Sequence, residues 1–350
     1  MRSATRAVGG SGIVRPLPAR PGVGKAGAAR AIGLLLGYAA DRLLGDPRRH
    51  HPVAGFGTVA TALEARLYRD TRARGMAHTA LLVGGAVALG LAAERGARRS
   101  ALAQVVVTAA ATWTVLGGRS LEREAAAVHA HLAAGDLPAA RAQLTHLVGR
   151  DTSQLTPGEV SRAVIESIAE NTSDAVVAPL LWGAIAGVPG LLGYRAANTL
   201  DAMVGHHNKR YERYGWASAR LDDVLNLPGA RLAGVLTLAA DTRRAPQAWR
   251  VWQRDAAGHP SPNAGVIEAA FAGALGVRLG GTNVYYGNRV EDRAVMDGGR
   301  PPEPSDIPRA TSLARRVGHG TALVTAALAA VSPGNARTRP MKSPHNAQCR

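Results

Sequence analysis

The chain has 350 residues, 42 Lys plus Arg against 25 Asp plus Glu, and a mean hydropathy of −0.04, which allows either two soluble domains or one polytopic membrane domain. Of the formal charge of +17, residues 1–30 supply six basic and no acidic side chains and residues 333–350 supply four and none, so the central 302 residues keep only +7. Because 39 of the 42 basic residues are Arg, this charge looks like coding bias and argues against a nucleic-acid footprint, while the single Cys349 excludes an internal disulfide and a cysteine zinc cluster and argues against thiol catalysis.

Residues 1–30 and 333–350 are rich in Gly, Pro, Ala and Arg without apolar periodicity and are expected to be disordered tails around one membrane-embedded domain, residues 31–332. Ile32 to Leu44 is apolar but interrupted by Asp41 and Arg42, and no small-residue cleavage site follows, so it does not read as a secretory signal. Met76 to Ala93 and Ala101 to Gly118 are two apolar runs joined by ERGARRS, the pattern of a helical hairpin in a bilayer. His50, His51, His129, His131, His206 and His207 lack zinc-site spacing.

Thr156, Pro157 and Glu159 place a cap, a first-turn proline and a third-position acid in order, predicting a helix from Pro157 to about Asn171. Glu166 and Glu170 then share a face, and Asp174 joins them if the helix runs one turn further, with a drift of about 40° per four residues. Stacked carboxylates need cations nearby. Arg162 would serve on a solvated face; a magnesium ion, which takes one or two protein carboxylates and completes its shell with water and phosphate, is the sharper alternative, with Asn171 as a neutral oxygen beside it.

The third apolar run, Ala175 to Tyr194, is uncharged and lies between those acids and a second polar segment carrying Asn198, Asp201, Asn208, Asp222, Asp223 and Asn226. If it crossed a bilayer, the two polar flanks would lie on opposite sides. It contains Pro179, Gly183, Gly187, Pro189, Gly190 and Gly193, breakers enough to predict a re-entrant hairpin or a pair of tilted half-helices that brings the chain back. Tyr211, Tyr214 and Trp216 suit an interfacial aromatic belt better than a stacking platform, and the adjacent Asp222 and Asp223 point apart on a helix, so each would act singly. Leu227 to Ala240 and Gly320 to Val331 are weaker apolar runs. The expected fold class is therefore all-α, a polytopic integral membrane protein of about four or five segments, some re-entrant.

Ser261, Pro262 and Asn263 form a turn or cap before a small-residue helix with Glu268, and Gly280, Gly281, Thr282 and Asn283 are expected as a loop whose amides could receive a phosphate. The chain has no G-x-x-x-x-G-K-[ST], G-x-S-x-G or dinucleotide signature, so residue reading alone stops at a membrane protein with a carboxylate-rich site.

The runs ESIAENTSDAVVAPLLWGAIAGVPG, YRAANTLDAMVGHHNKRYERYGWASARLDDVLNLPGARL and SPNAGVIEAAFAGALGVRLGG resemble the CobD/CbiB family of cobalamin biosynthesis, the adenosylcobinamide-phosphate synthases. DRLLGDPRRHHPVAGFG, VGRDTSQLTPGEVSRA and GGRPPEPSDIPRA fit the same pattern, so the resemblance covers about residues 30–318. It implies an integral cell-membrane ligase, with its site on the cytoplasmic side, that joins adenosylcobyric acid to aminopropanol or its phosphate through an amide, with ATP as co-substrate. Its other implied partners are membrane lipid and further corrin-pathway enzymes, with no nucleic acid. Carboxyl activation needs a metal near phosphate, for which Glu166, Glu170 and Asp174 are the candidates and Mg2+ the expected ion. One of Asp201, Asp222 or Glu268 would accept the ammonium proton, and Asn171, Asn198, Asn208, Asp223, Asn226, Ser261, Asn263, Gly280 and Gly281 form the substrate-binding set. A polytopic transporter would carry ionisable groups inside its spans, which these runs almost lack, and a non-catalytic AmpE-like sensor would lack the acidic and amide-rich motifs.

Overall fold

The computed structural model describes residues 24–46, 51–206, 208–285 and 289–331. Most of both expected tails, together with His50 and His207, lies outside the described residues. Helix α1 (Lys25–Leu44) begins before residue 31, so the domain starts earlier than its composition indicates. It is followed by α2 (Pro52–Leu67), α3 (Arg72–Ala97), α4 (Ala101–Val115), α5 (Gly118–Ala133) and α6 (Leu137–Leu144). Next come α7 (Pro157–Thr172), a π-helical turn (Ser173–Val177), α8 (Ala178–Val204), α9 (Trp216–Ala240), α10 (Ala245–Asp255) and α11 (Ala264–Leu275). A two-stranded hairpin, β1 (Arg278–Tyr285) and β2 (Arg289–Asp297), precedes α12 (Asp306–Val331).

The protein is an all-α membrane protein apart from that hairpin. Arg72–Ala97, Ala101–Ala133 and Pro157–Val204 are long and apolar enough to cross a bilayer, but their apolar windows are 22%, 28% and 72% buried respectively. The first two therefore face lipid over most of their surface, whereas the third is wrapped by protein. Leu81 and Leu89 on α3, Leu102 and Val106 on α4, Ile32 and Leu36 on α1 and Leu323 on α12 point outward, an aliphatic surface that water does not favour. One apolar core joins α5, α6, α7, α10, α11 and α12 around Ile165, Ile168, Ile267, Phe271 and Leu313. A second packs α1, α4, α8 and α12 around Leu34, Leu116, Leu180 and Leu191.

The start of α7 follows its sequence. Thr156 Oγ1 accepts from Glu159 N, and the Glu159 carboxylate accepts from Thr156 N at 2.8 Å, a reciprocal capping box. From there helical structure continues without interruption through the π turn to Ala186. Gly187 breaks it, with φ 70° and ψ −149°. Beyond it the chain folds back: a Cβ on Gly190 would lie 2.2 Å from the Trp182 carbonyl oxygen, and one on Gly183 would lie 2.8 Å from Leu191 Cδ2. Residues eight apart in a straight helix are separated by about 12 Å. More decisively, Tyr194 Oη donates to the Asp174 carbonyl at 2.9 Å, where a straight helix would part the two residues by about 30 Å. The uncharged segment thus enters and returns, as its glycines and prolines predict.

The tip of this hairpin is fastened by charge. Val188 N donates to Glu94 Oε1 at 3.0 Å, Arg30 Nη1 donates to the Ala184 carbonyl at 3.2 Å, and Arg30 lies 3.8 Å from Glu94. Glu94 ends the apolar run of α3 beside the Arg-rich turn, so the tip stands at the polar end of that helix. The returning half lies along α3, where a Cβ on Gly90 would meet the Pro189 backbone at 2.7 Å. Small residues allow this close approach.

Two expectations are corrected. Residues 280–283 form part of β1 rather than an open loop, with Gly280 and Gly281 at φ +79° and +90° beside a bulge in the strand pairing. Only glycine adopts such angles without strain. Tyr214 is fully buried against Tyr68 and His78, and Tyr211 Oη bonds Glu64 at 3.0 Å, so these rings are packed into the bundle. Trp216 alone of the three is exposed, beneath the Arg72 guanidinium.

Candidate active site

Three acids spaced by four residues run along α7 and into the π turn, and their environments differ. Glu166 is buried and both of its oxygens are committed: Oε2 accepts from Arg150 Nη2 at 2.7 Å and Oε1 from Gly280 N at 2.9 Å. Arg150 also donates to Asn283 Oδ1, which is shared with Arg162 Nη2 at 3.3 Å, and Arg162 holds the Gly280 and Thr282 carbonyls. Glu166 therefore ties α7 to the β-hairpin. Arg150→Met should strand this carboxylate and lower stability by about 3–5 kcal/mol, measured by thermal unfolding in detergent.

Glu170, one turn further on, is exposed into a cavity of about 140 Å³ lined also by Arg150, Glu166, Ser167, Asn283 and Arg293. Behind it lies Glu268 on α11, 1% exposed, with neither oxygen hydrogen-bonded and His259 Nε2 3.8 Å away. Burial pushes the Glu268 carboxyl well up, and the nearby Glu166 and Glu170 charges add to this. A carboxyl held in its neutral form is a poor proton acceptor.

Asp174 lies where the returning half of α8 meets α9. The single Tyr194 hydroxyl proton is shared between the Asp174 carbonyl, at 2.9 Å, and Asn226 Oδ1, at 2.6 Å. Asn226 Nδ2 donates to Asp222 Oδ2 at 2.9 Å, and Asn198 Nδ2 to Asp222 Oδ1 at 3.2 Å. Burial first, and then the Asp201 charge, push the Asp222 carboxyl up to about 7, against the pull of the two amide bonds. Asp174, Asn198, Asp201, Asp222 and Asn226 thus come together from both flanks of the hairpin. Arg195 lies within electrostatic reach of Asp174 and of Asp46, whose Oδ1 is buried without a partner.

The remaining predicted residues serve local structure. Asn171 bonds back to the Ser167 carbonyl at 3.0 Å, and Asn208 is exposed, its Oδ1 closing a turn on the Arg210 and Tyr211 amides. Asp223 points away from Asp222 toward Arg220 at 3.8 Å, as their adjacency requires. Ser261 caps α11 through the Asn263 and Ala264 amides, while Asn263 bridges the Asp223 carbonyl and Arg231. Gly280 N is occupied by Glu166, and the Arg162 guanidinium lies 3.1 Å from where a Gly281 Cβ would be. Sequence reasoning missed Arg150, Tyr194 and Arg293, and placed Asn283 only in a loop offering backbone amides. Arg150 and Asn283 lie inside polar stretches that the reading noted, but nothing in their spacing ties either to Glu166.

Among the described residues no group of three or more His, Cys, Asp or Glu is placed to hold a metal ion, so the three-acid set is not assembled. The physical reason is that Glu166 is consumed by Arg150 and Gly280. The carboxylates of Glu170 and Asp174 make no ion pair with a described basic residue, and Asp174 has the neighbouring Ser173 hydroxyl as its side-chain hydrogen-bond partner; a magnesium ion would need no more than one or two such acids.

The family profile described as CobD/Cbib protein matches residues 34–314. The chain belongs to the CobD/CbiB family. It is 50% identical over 302 residues to a "Cobalamin biosynthesis protein CobD" of Mycobacterium tuberculosis, covering 85% of this chain and 96% of that one. Proteins of the same name from Geobacter metallireducens and Rhodobacter capsulatus are 48% identical over 281 residues and 43% over 303, covering 78% and 84% of this chain and 87% and 96% of theirs. No solved structure matches it.

Proposed function

We propose that this protein acts in cobalamin biosynthesis as an adenosylcobinamide-phosphate synthase, an ATP-dependent ligase that joins adenosylcobyric acid to aminopropanol or its phosphate. The observation that carries this reading is the meeting of Asp174 with Tyr194, Asn226 and Asp222, which gives a member of this family one polar site built from both flanks of a buried hairpin.

The substrate carboxylate is first activated: one of its oxygens attacks a phosphorus of ATP, forming an acyl phosphate with release of ADP or an acyl adenylate with release of pyrophosphate. The amine nitrogen then attacks the acyl carbon, the carbon–oxygen bond to phosphorus breaks, and the nitrogen loses a proton. Magnesium, when bound, supplies charge neutralisation at phosphate, and Glu170 and Asp174 are the residues that would hold it. Asp222 receives the proton. Its two amide donors fix both oxygens, and its carboxyl, raised to about 7, is matched to base work near neutrality. The site opens to the cytoplasm, where ATP is found.

Detergent-purified protein incubated with adenosylcobyric acid, aminopropanol phosphate, ATP and magnesium should yield the amide. Because Asp222 works only when ionised, kcat/KM should climb as pH rises and level off above about 7. Asp222→Asn should reduce the rate by about 10²–10⁴ and abolish this limb. Folded protein that makes no amide overturns the assignment.

A further inference from the structure

Two side chains that line the cavity beside Glu170 keep a nitrogen that the protein's own bonding leaves unused. Asn283 is 3% exposed; its Oδ1 accepts from Arg150 and Arg162, while its Nδ2 has no partner. Arg150 is 5% exposed, with two of its nitrogens committed to Asn283 and Glu166 and its Nε unpartnered. Both side chains line the cavity, as does Arg293, which ion-pairs with Glu291 at 3.1 Å. Arg162 stands behind Asn283, so three guanidiniums border this side of the cavity, with Glu166 paired to Arg150 and Glu291 to Arg293. Glu170 faces the same space from α7.

Buried N–H groups without acceptors are costly unless a ligand supplies oxygens. The ligand indicated is an anion with several acceptor atoms, small enough for about 140 Å³, which is room for roughly ten water-sized groups at about 10–15 Å³ each. A phosphoryl group meets all three requirements: it carries negative charge toward the guanidiniums, offers three oxygens to the planar donors, and leaves space for a cationic neighbour beside Glu170.

We propose that this cavity is a phosphoryl-binding pocket whose anion rests on Asn283 Nδ2, Arg150 Nε and Arg293. The bound group is the phosphate of the amine substrate or a phosphate of the nucleotide. The choice of substrates rests on the ligase reading, but the binding of phosphate does not.

Asn283→Asp is the discriminating variant. It keeps an oxygen for Arg150 and Arg162, so the hairpin should stay anchored and the melting temperature unchanged, yet it removes the Nδ2 donors and puts a negative charge where the anion sits. Calorimetric titration of detergent-purified wild-type protein with inorganic phosphate should show binding, weakened at least about tenfold in the variant. Arg293→Gln, a second variant independent of the Arg150 anchor, should show the same loss. In the ligase assay, a rise in KM for aminopropanol phosphate but not for ATP assigns the pocket to the amine, and the reverse assigns it to the nucleotide. Folded wild-type protein that binds no phosphate, or variants that bind it as the wild type does, overturn the pocket. Phosphate binding that the variants lose, in protein that forms no amide, keeps the pocket and removes the ligase reading.

Discussion

Asp174→Asn should lower the rate of amide formation by at least about a hundredfold while leaving the fold intact, because the substitution keeps size and removes only charge. Asp174 lies where the acidic helix and the returning half of the hairpin meet, through the Tyr194 bond to its carbonyl. That bond is to backbone and survives the change, whereas the carboxylate itself is held only by the neighbouring Ser173 hydroxyl, to which the amide oxygen of Asn can still bond. Glu170→Gln should behave the same way. Glu166→Gln should differ in kind: it removes the charge that both Arg150 and the Gly280 amide rely on, so the loss should appear as reduced thermal stability. Rates measured under saturating ATP, together with melting curves for the three variants, separate these outcomes. An Asp174→Asn protein with a rate within about threefold of wild type would remove this residue from the mechanism.

Gly190→Leu should prevent the hairpin from closing. The added Cβ alone would lie 2.2 Å from the Trp182 carbonyl and 2.8 Å from Ala186 Cβ, both on the opposing half, with no flexible side chain to yield. Overpacking of this kind costs about 1–3 kcal/mol when neighbours can relax, and backbone cannot, so the expected loss is at the upper end or beyond. Gly84→Leu is the matched control: a Cβ there meets nothing within 4 Å on a lipid-facing helix, and the change should stay within about 0.5 kcal/mol. Thermal unfolding of both variants in detergent, with the yield of monodisperse protein, provides the comparison. Equal behaviour of the two would contradict the folded-back path.

How much of this was readable from residues alone depended on whether the signal was local. The start of α7 was legible because Thr156, Pro157 and Glu159 each act within one turn, and α3 and α4 were legible as separate apolar helices joined by an Arg-rich turn, although α4 packs chiefly on α1 and α3 on α8. The fold-back at Gly187 was legible from the geometric conflict between two polar flanks, although which of the glycines turns the chain was not. What stayed hidden was long-range. Nothing in the local pattern of GGTN separates a strand whose glycines lie beside Glu166 from a loop waiting for phosphate. The pairing of Glu166 with Arg150 converts the first of three evenly spaced acids from a ligand candidate into a tie, and even spacing cannot reveal that. Tyr211 and Tyr214 looked interfacial by composition, but Glu64 and His78, far away in sequence, draw them inward.

The way the hairpin tip is fastened has a consequence for how the chain is built. The uncharged segment, residues 175–194, is divided at Gly187, and the half beyond the break, residues 188–204, is shorter than the roughly 20 apolar residues of a free-standing span and carries Arg195 and Asp201. The docking site for its tip is Glu94 with Arg30, and its bed is Gly90 on α3, all of them synthesised earlier. Folding is therefore expected to be ordered: α1 and α3, which carry the docking residues, precede the hairpin in the chain, and the hairpin that bears the candidate site settles onto them.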